Sequence, residues 1–339
     1  MKILITGGAG YIGSTIASAC LDNDIQPVIL DDLSTGRREF VGNNPFFEGD
    51  IADGRLVDEI FTTHPDIYAT IHCAARIVVP ESVEQPIAYY RNNVSKTIEL
   101  VAHLRRNGCR RLLFSSSASV YAPGPAGWVN EHSPLAPTSP YARTKAVTEM
   151  ALEDFAPATG LGVLSLRYFN PIGADPRLRS GPQHPDPTHV VGRLMAAYAN
   201  DQPFHVTGVS WGTRDGSGIR DYVHVWDLAT AHVAGVLRFD DVAPPGRYEV
   251  INIGTGRGTT VRELVTAFEQ QVHHRLTVID SAARPGDVIG CYARSDKAAR
   301  LLGWRAQLGV REGLQHAMQW DAVRDQVLAV RLPTGAGVL

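Results

Sequence analysis

The chain has 339 residues, of which 44% are hydrophobic and 20% are charged, enough for one large domain or two unequal domains with an ordinary core. A formal net charge of −3 does not indicate a nucleic acid or an anionic membrane as partner. The apolar stretch before Gly7 is too short for the hydrophobic region of a signal peptide. No apolar run approaches the ~18 residues of a membrane span. We therefore expect a soluble, cytoplasmic protein.

Cysteine usage argues against a disulfide framework or a metal site. The cysteines are scattered through the chain, without a CxxC pair or a histidine cluster at zinc spacing: Cys20, Cys73, Cys109 and Cys291. We expect reduced thiols and no bound metal.

Short apolar runs alternate with helical stretches through the first half of the chain. Strands are predicted at residues 3–6, 27–30, 67–72, 111–115 and 163–168, and helices at residues 13–21, 92–106 and 141–155. The strand runs lack polar alternation, which is typical of a parallel sheet covered by helices on both faces. The order predicts an α/β fold with a doubly wound, parallel-sheet Rossmann domain.

The character of the sequence changes at residues 171–189, which hold five prolines and few apolar residues. This predicts a long irregular segment that leaves the first domain. Residues 221–237 are predicted to be helical and 248–253 to be a strand, and we expect both to return to the sheet. The predicted organisation is a Rossmann domain of residues 1–170 and 221–253, a smaller, discontinuous C-terminal substrate domain of residues 171–220 and 254–332, and a frayed tail at 333–339.

A glycine-rich motif lies between the first strand and the first helix, in the segment TGGAGYIG (residues 6–13). Its glycines allow a tight turn and a close approach of backbone N–H groups to a pyrophosphate at the helix N-terminus. The segment predicts a dinucleotide site formed by Gly7, Gly10, Tyr11, Ile12 and Gly13.

The second strand ends at Asp31, where a carboxylate binds ribose hydroxyls and repels a 2′-phosphate, so NAD is favoured over NADP. Asp50 and Ile51 follow in a loop. They are candidates for the adenine end of the site, although an aspartate in a loop is equally often a turn former.

Tyr141 and Lys145 are four residues apart at the start of a predicted helix, so both side chains lie on one face. A lysine ammonium and a cationic nicotinamide beside the phenol would lower the tyrosine pKa from about 10 towards neutrality. Such a tyrosine can remove a hydroxyl proton at neutral pH. Three serines (residues 115–117) follow a predicted strand, at the sheet edge where open α/β folds bind their ligands.

These motifs, in this order, resemble the extended short-chain dehydrogenase/reductase superfamily, and in particular the UDP-galactose 4-epimerase family. The resemblance extends from the start of the chain to about residue 300. It rests on the glycine motif and on YRNNV (90–94), FSSSA (114–118), SPYARTK (139–145), LRYFNPIGA (166–174) and DGSGIRDYVH (215–224).

The resemblance implies NAD-dependent epimerisation at C4 of a UDP-hexose through a transient 4-keto sugar. By position it assigns Ser117, Tyr141 and Lys145 to catalysis. It further implies that the cofactor is contacted by Asn92 and Tyr168, as well as by Tyr141 and Lys145, and the UDP-sugar by Asn170, Arg220, Arg284 and Asp287.

One position bears on which sugar the protein accepts. In the family, the residue four places beyond the ribose-binding aspartate lines the pocket near C2 of the hexose. Here it is Cys291, whose small side chain predicts that UDP-GlcNAc and UDP-GalNAc are accepted as well. Two alternatives stay open at this point: an epimerase or decarboxylase acting on a UDP-uronate or UDP-pentose, and a non-catalytic NAD-binding scaffold protein.

The family also implies a homodimer formed by the helices that follow Asn92 and Tyr141. The residues expected on their outward faces are Ile98, Val101, Ala102, Ala146 and Met150.

Overall fold

The computed structural model describes residues 1–122, 127–184, 187, 189–283 and 287–329. Within these ranges a seven-stranded sheet forms the centre of the molecule, and all its neighbouring strands are parallel. Its strands are β1 (Lys2–Thr6), β2 (Gln26–Asp31), β3 (Phe46–Glu48), β4 (Ile67–His72), β5 (Arg111–Ser117), β7 (Gly162–Tyr168) and β12 (Tyr248–Ile253). Their spatial order is β12-β7-β5-β4-β1-β2-β3. The predicted doubly wound parallel sheet is confirmed.

The remaining strands are short and form two-stranded pairs outside this sheet. They are β6 (Trp128–Val129), β8 (Asn170–Ile172), β9 (Phe204–Thr207), β10 (Ile219–Arg220), β11 (Tyr222–His224), β13 (Thr259–Thr260), β14 (Val278–Ser281) and β15 (Tyr292–Ala293). The pairs are β6 with β15, β8 with β11, β9 with β14 and β10 with β13.

The helices cover both faces of the sheet and build the region beyond it. They are α1 (Tyr11–Leu21), α2 (Gly54–Thr63), α3 (Val79–Glu84), α4 (Pro86–Tyr90), α5 (Lys96–Arg106), α6 (Pro140–Thr159), α7 (Val190–Ala199), α8 (Val225–Leu237), α9 (Phe239–Val242), α10 (Val261–Val272), α11 (Asp296–Leu302) and α12 (Val310–Ala329). None of these helices is both long enough and apolar enough to cross a membrane.

Two hydrophobic clusters fill the space between the sheet and its helices. One lies under α1 and α8 and includes Ile5, Ile29 and Leu228, and the other lies under α2 and α5 and includes Leu4 and Leu100. Alternate residues of β1 therefore point into different clusters, which explains the uninterrupted apolar run of this strand. A separate cluster packs α7, α10 and α12 against β9 and β11.

Several sequence-based boundaries are wrong for local reasons. Residues 222–224 form β11 rather than the first turn of a helix, because they pair with β8; the helix starts at Val225, where the His224 imidazole accepts a hydrogen bond from the N–H of Trp226. The helix predicted from Asn92 begins with a π-helical turn (Arg91–Ser95) that precedes α5. Strand β5 continues through the serines to Ser117, because its pairing with β7 extends to that residue.

Candidate active site

The glycine motif forms a tight connection between β1 and α1. Gly7 has a φ of +71°, and a Cβ there would lie 2.6 Å from the backbone nitrogen of Ala74, so a side chain is excluded on both counts. Gly13 allows α1 to pack closely against this turn, because a Cβ at this position would collide with the carbonyl oxygen of Gly7. A Cβ on Gly10 would make only ordinary contact with the protein, 3.4 Å from the carbonyl oxygen of Gly7 at the nearest.

Asp31 closes this region from the end of β2. Its carboxylate accepts hydrogen bonds from the N–H groups of Ala9 and Leu33, each at 2.9 Å. Burial raises its pKa above the ordinary value, and the two backbone donors oppose that rise. The carboxylate is thus fixed against the glycine turn, as expected of a dinucleotide site.

The other residues predicted for the cofactor lie around the same sheet edge. Tyr11 begins α1, and its hydroxyl donates to the carbonyl oxygen of Gly173 at 2.6 Å; Ile12 packs against the core beside it. Asn92 lies in the π-helical turn, where its side-chain amide donates to the side chain of Asn93. Tyr168 ends β7, and its ring lies 6.3 Å from that of His232.

Asp50 takes the turn-forming arrangement that the sequence left open. Its carboxylate accepts from the N–H of Ala52 at 2.9 Å and forms an ion pair with Lys96 of α5 at 2.5 Å. Ile51 is buried in the core under α2 and α5. The loop after β3 is therefore tied to the helix beside it.

Ser117, Tyr141 and Lys145 are brought together where β5 meets the start of α6. Ser139 caps this helix by accepting from the N–H of Ala142, and Pro140 occupies the first turn, where no N–H is needed. Tyr141 and Lys145 are both buried, and the Ser117 hydroxyl is near enough to the Tyr141 phenol to affect its pKa. The Ser117 hydroxyl oxygen accepts a hydrogen bond from the N–H of Ser119 at 3.2 Å.

The electrostatics of this trio differ in one respect from the expectation. Burial raises the pKa of Tyr141 above its ordinary value, and the Ser117 hydrogen bond opposes that rise. Burial also lowers the pKa of Lys145 to about 8, and its ammonium donates to the main-chain oxygen of Ser115 at 2.8 Å. The expected lowering of the tyrosine pKa does not arise from these protein groups.

Residues predicted to hold the nucleotide line one cavity of about 240 Å³ beyond the sheet. Asn170, Arg220 and Asp287 all contribute to its wall. The Arg220 guanidinium also donates to the main-chain oxygens of Val288 and Ile289, which fixes it in the wall.

Arg284 and Cys291 are the other two residues predicted to contact the sugar nucleotide in this region, and the structure describes only Cys291. Arg284 falls outside the described residues. Cys291 is partly buried and packs against a small cluster that contains Phe169 and Ala146, and burial raises its thiol pKa to about 11. The thiol is thus kept protonated at neutral pH.

The cavity wall also contains residues that the sequence motifs did not assign to a ligand, among them His189, Arg193 and Trp211. His189 caps α7 by accepting at Nδ1 from the N–H of Gly192, so its other ring nitrogen carries the proton. Arg193 is one turn further along the same helix. The i, i+4 spacing from His189 to Arg193 could have indicated a shared face, but only the fold shows that this face lines the cavity.

Comparison with known proteins fits this geometry. The model of the NAD dependent epimerase/dehydratase family matches residues 3–254. The UDP-glucose 4-epimerases of Rhizobium meliloti (strain 1021) and Azospirillum brasilense are 39% and 38% identical to this chain, each over 96% of it and over 98% and 93% of their own lengths.

A solved structure agrees over the same extent. The UDP-glucose-4-epimerase from Stenotrophomonas maltophila, crystallised with bound NAD and formylated UDP-arabinopyranose, superposes with a TM-score of 0.90. It is 33% identical, and the match covers 96% of this chain and 99% of that one. The chain therefore belongs to the NAD dependent epimerase/dehydratase family.

Proposed function

We propose that this protein is an isomerase that interconverts the C4 epimers of UDP-hexoses, UDP-glucose and UDP-galactose, with NAD as its cofactor. The observation that carries the proposal is the group of Ser117 with the buried Tyr141 and Lys145, at the sheet edge that also holds the glycine turn. Near-full-length similarity to UDP-glucose 4-epimerases supports it. These similarities do not favour the alternatives, which were an enzyme acting on a UDP-uronate or UDP-pentose and a non-catalytic NAD-binding scaffold.

The glycine turn fits NAD in shape and in chemistry. Gly10 leaves room for a phosphate against the backbone, and the α1 N-terminus offers N–H donors to it. Asp31 suits the adenosine ribose and disfavours a 2′-phosphate. Asp50 and Ile51 would stand at the adenine end, and Asn92 and Tyr168 nearer the nicotinamide.

When bound, NAD supplies the acceptor for a hydride from C4 and a positive charge beside the Tyr141 phenol. Tyr141 removes the C4 hydroxyl proton and later returns it. Ser117 hydrogen-bonds the reacting oxygen. The Lys145 ammonium would stabilise the phenolate and hold the nicotinamide ribose.

The cavity beyond the sheet provides a fixed grip on UDP. Asn170, Arg220 and Arg284 would hold the diphosphate and Asp287 the ribose. Guanidinium groups suit this task because they donate several hydrogen bonds to an oxyanion in a fixed geometry. With UDP held there, the hexose can turn and present either face of C4. We further propose that the two sites belong to separate domains with the boundaries predicted above.

A second copy of the chain is proposed as partner, through the helices around α5 and α6. Ile87 and Met150 expose 70% and 62% of their surface, and Ile98 and Val147 are also exposed. Two residues expected on this face, Val101 and Ala146, are instead buried, because they pack into the protein's own core. Sedimentation at micromolar concentration should show a dimer; a monomer would contradict the proposed homodimer.

A cytoplasmic location remains a prediction from sequence.

The function is tested by incubating the purified protein with UDP-galactose and no added cofactor. Formation of UDP-glucose, together with NAD released on denaturation, is the expected result. Absence of conversion with or without added NAD would refute the proposal.

A further inference from the structure

The serine before Ser117 has no assigned part in the reaction, yet it is tied to the same helix as Tyr141. The Ser116 hydroxyl donates to the Glu149 carboxylate at 2.5 Å. One residue earlier, the main-chain oxygen of Ser115 accepts from the Lys145 ammonium at 2.8 Å. Since Lys145 and Glu149 are one turn apart on α6, two consecutive residues of β5 are bound to two consecutive turns of this helix.

The proposed reacting pair, Ser117 and Tyr141, lies next to these two contacts. Ser117 follows directly on Ser116, and Tyr141 lies one turn before Lys145 on α6. The Ser117 hydroxyl is near enough to the Tyr141 phenol to affect its pKa. A shift of β5 along α6 would break the two fixed contacts and displace Ser117 from Tyr141.

Glu149 is itself held rigidly. Arg167, which is opposite Ser116 in the β5–β7 register, donates from Nε and Nη2 to the Glu149 carboxylate at 2.5–3.0 Å. The pair is almost completely buried, and Arg167 also donates to the Tyr121 hydroxyl at 2.9 Å. Burial of an ion pair is a poor source of stability, but one whose hydrogen bonds are all made restricts the geometry of its surroundings.

We propose that Glu149 is a positioning residue which, acting through Ser116 and held by Arg167, sets the placement of the Ser117 hydroxyl against the Tyr141 phenol. This inference rests on the proposed function. It assigns the buried pair to the reaction, although neither member contacts the reacting atoms.

The charge of Glu149 has a second effect, on Lys145. The titratable groups that face Lys145 are His72 and Cys73 at the end of β4 and Glu149 on its own helix. Burial lowers the lysine pKa to about 8, and Cys73 and, to a smaller extent, Glu149 oppose this lowering. Removal of the negative charge therefore lowers that pKa further, so the ammonium is lost at a lower pH and the alkaline limb of the rate profile moves the same way.

The test uses Ser116→Ala, Glu149→Gln and their combination in the full-length protein, assayed with UDP-galactose across pH. We expect kcat to fall about 10²-fold in Glu149→Gln and about tenfold in Ser116→Ala, with little change in KM, since misplaced reacting groups cost rate rather than binding. The double variant should be no slower than Glu149→Gln, because both changes break one linkage. Only variants that lack the carboxylate should show the alkaline limb at lower pH.

Glu153→Gln is the matched control, since it is the same change one turn further along α6 at an exposed position, and it should behave as wild type. Ser116→Ala leaves the ion pair intact and guards against misfolding in Glu149→Gln. Wild-type kcat in Ser116→Ala, or losses that multiply in the double variant, would overturn the inference. A wild-type protein without epimerase activity would instead overturn the proposed function.

Discussion

The sheet edge that holds Tyr141 and the cavity that holds Asn170 differ in how their polar groups are satisfied. At the sheet edge buried side chains are bonded to other protein groups, since the Ser116 hydroxyl donates to Glu149 and the Lys145 ammonium donates to the main-chain oxygen of Ser115. In the cavity, the Asn170 and Arg193 side chains are exposed on a wall built from short strands and one end of α7. Under the proposed function, the reaction would depend on this rigid internal geometry, whereas recognition of the sugar nucleotide would depend on exposed groups such as Asn170 and Arg193.

Tyr141→Phe should have the largest effect, because it removes only the hydroxyl that transfers the proton. We expect turnover to fall by at least about 10⁴-fold, the upper range for a lost acid–base group. The fold should be unchanged, as judged by the melting temperature. Tyr198→Phe, at an exposed tyrosine of α7, is the control and should keep full activity. A near-normal kcat in Tyr141→Phe would exclude the mechanism.

Ser117→Ala should be slower than wild type by about 10²-fold, less than the tyrosine change, since it removes a hydrogen bond to the reacting oxygen but leaves the base. The kcat for UDP-galactose measures this. Ser95→Ala, an exposed serine beside α5, should have no effect. If the two serine variants are equally active, Ser117 takes no part in the chemistry.

Asn170→Ala tests the other region. The loss of one donor to the diphosphate should raise KM about tenfold and leave kcat near the wild-type value, because this contact holds substrate and transition state alike. Asn200→Ala at the end of α7, outside the cavity, serves as control. A fall in kcat at constant KM would show that the two regions do not divide the work in this way.

Of these variants, Cys291→Tyr should have the smallest effect on the conversion of UDP-glucose and UDP-galactose. It should selectively slow the conversion of UDP-sugars that carry an N-acetyl group. A phenol in place of the thiol would fill the space proposed for the acetamido group, so conversion of UDP-GlcNAc should be suppressed while that of UDP-glucose continues. Cys291→Ala should retain both. A wild-type protein that does not convert UDP-GlcNAc would show that another residue closes the pocket.

The sheet edge was more predictable from sequence than the cavity, for a physical reason. The glycine turn, Asp31 and the Tyr141–Lys145 spacing are local patterns, since a turn, a strand end and one helix face each determine their own geometry. The raised Tyr141 pKa was not predictable, because it depends on burial by distant segments.

The cavity wall depends on pairings between segments far apart in sequence. Strand β11 pairs with β8 across about fifty residues, and no local signal marks residues 222–224 as a strand. His189 and Arg193 likewise become part of the cavity wall only because α7 packs beside β9. Glu149 and Arg167 looked like ordinary charged residues until the register of β5 with β7 placed them together.

The proposed hydride transfer can be tested by tracing the hydrogen at C4 of the hexose. UDP-galactose that carries deuterium at C4 is incubated with the purified protein, and the UDP-glucose formed is analysed for the label. We expect deuterium to be retained at C4, because the hydrogen leaves and returns as a hydride that does not exchange with water. Loss of the label to solvent would mean removal of C4 hydrogen as a proton, and would contradict the proposed reaction.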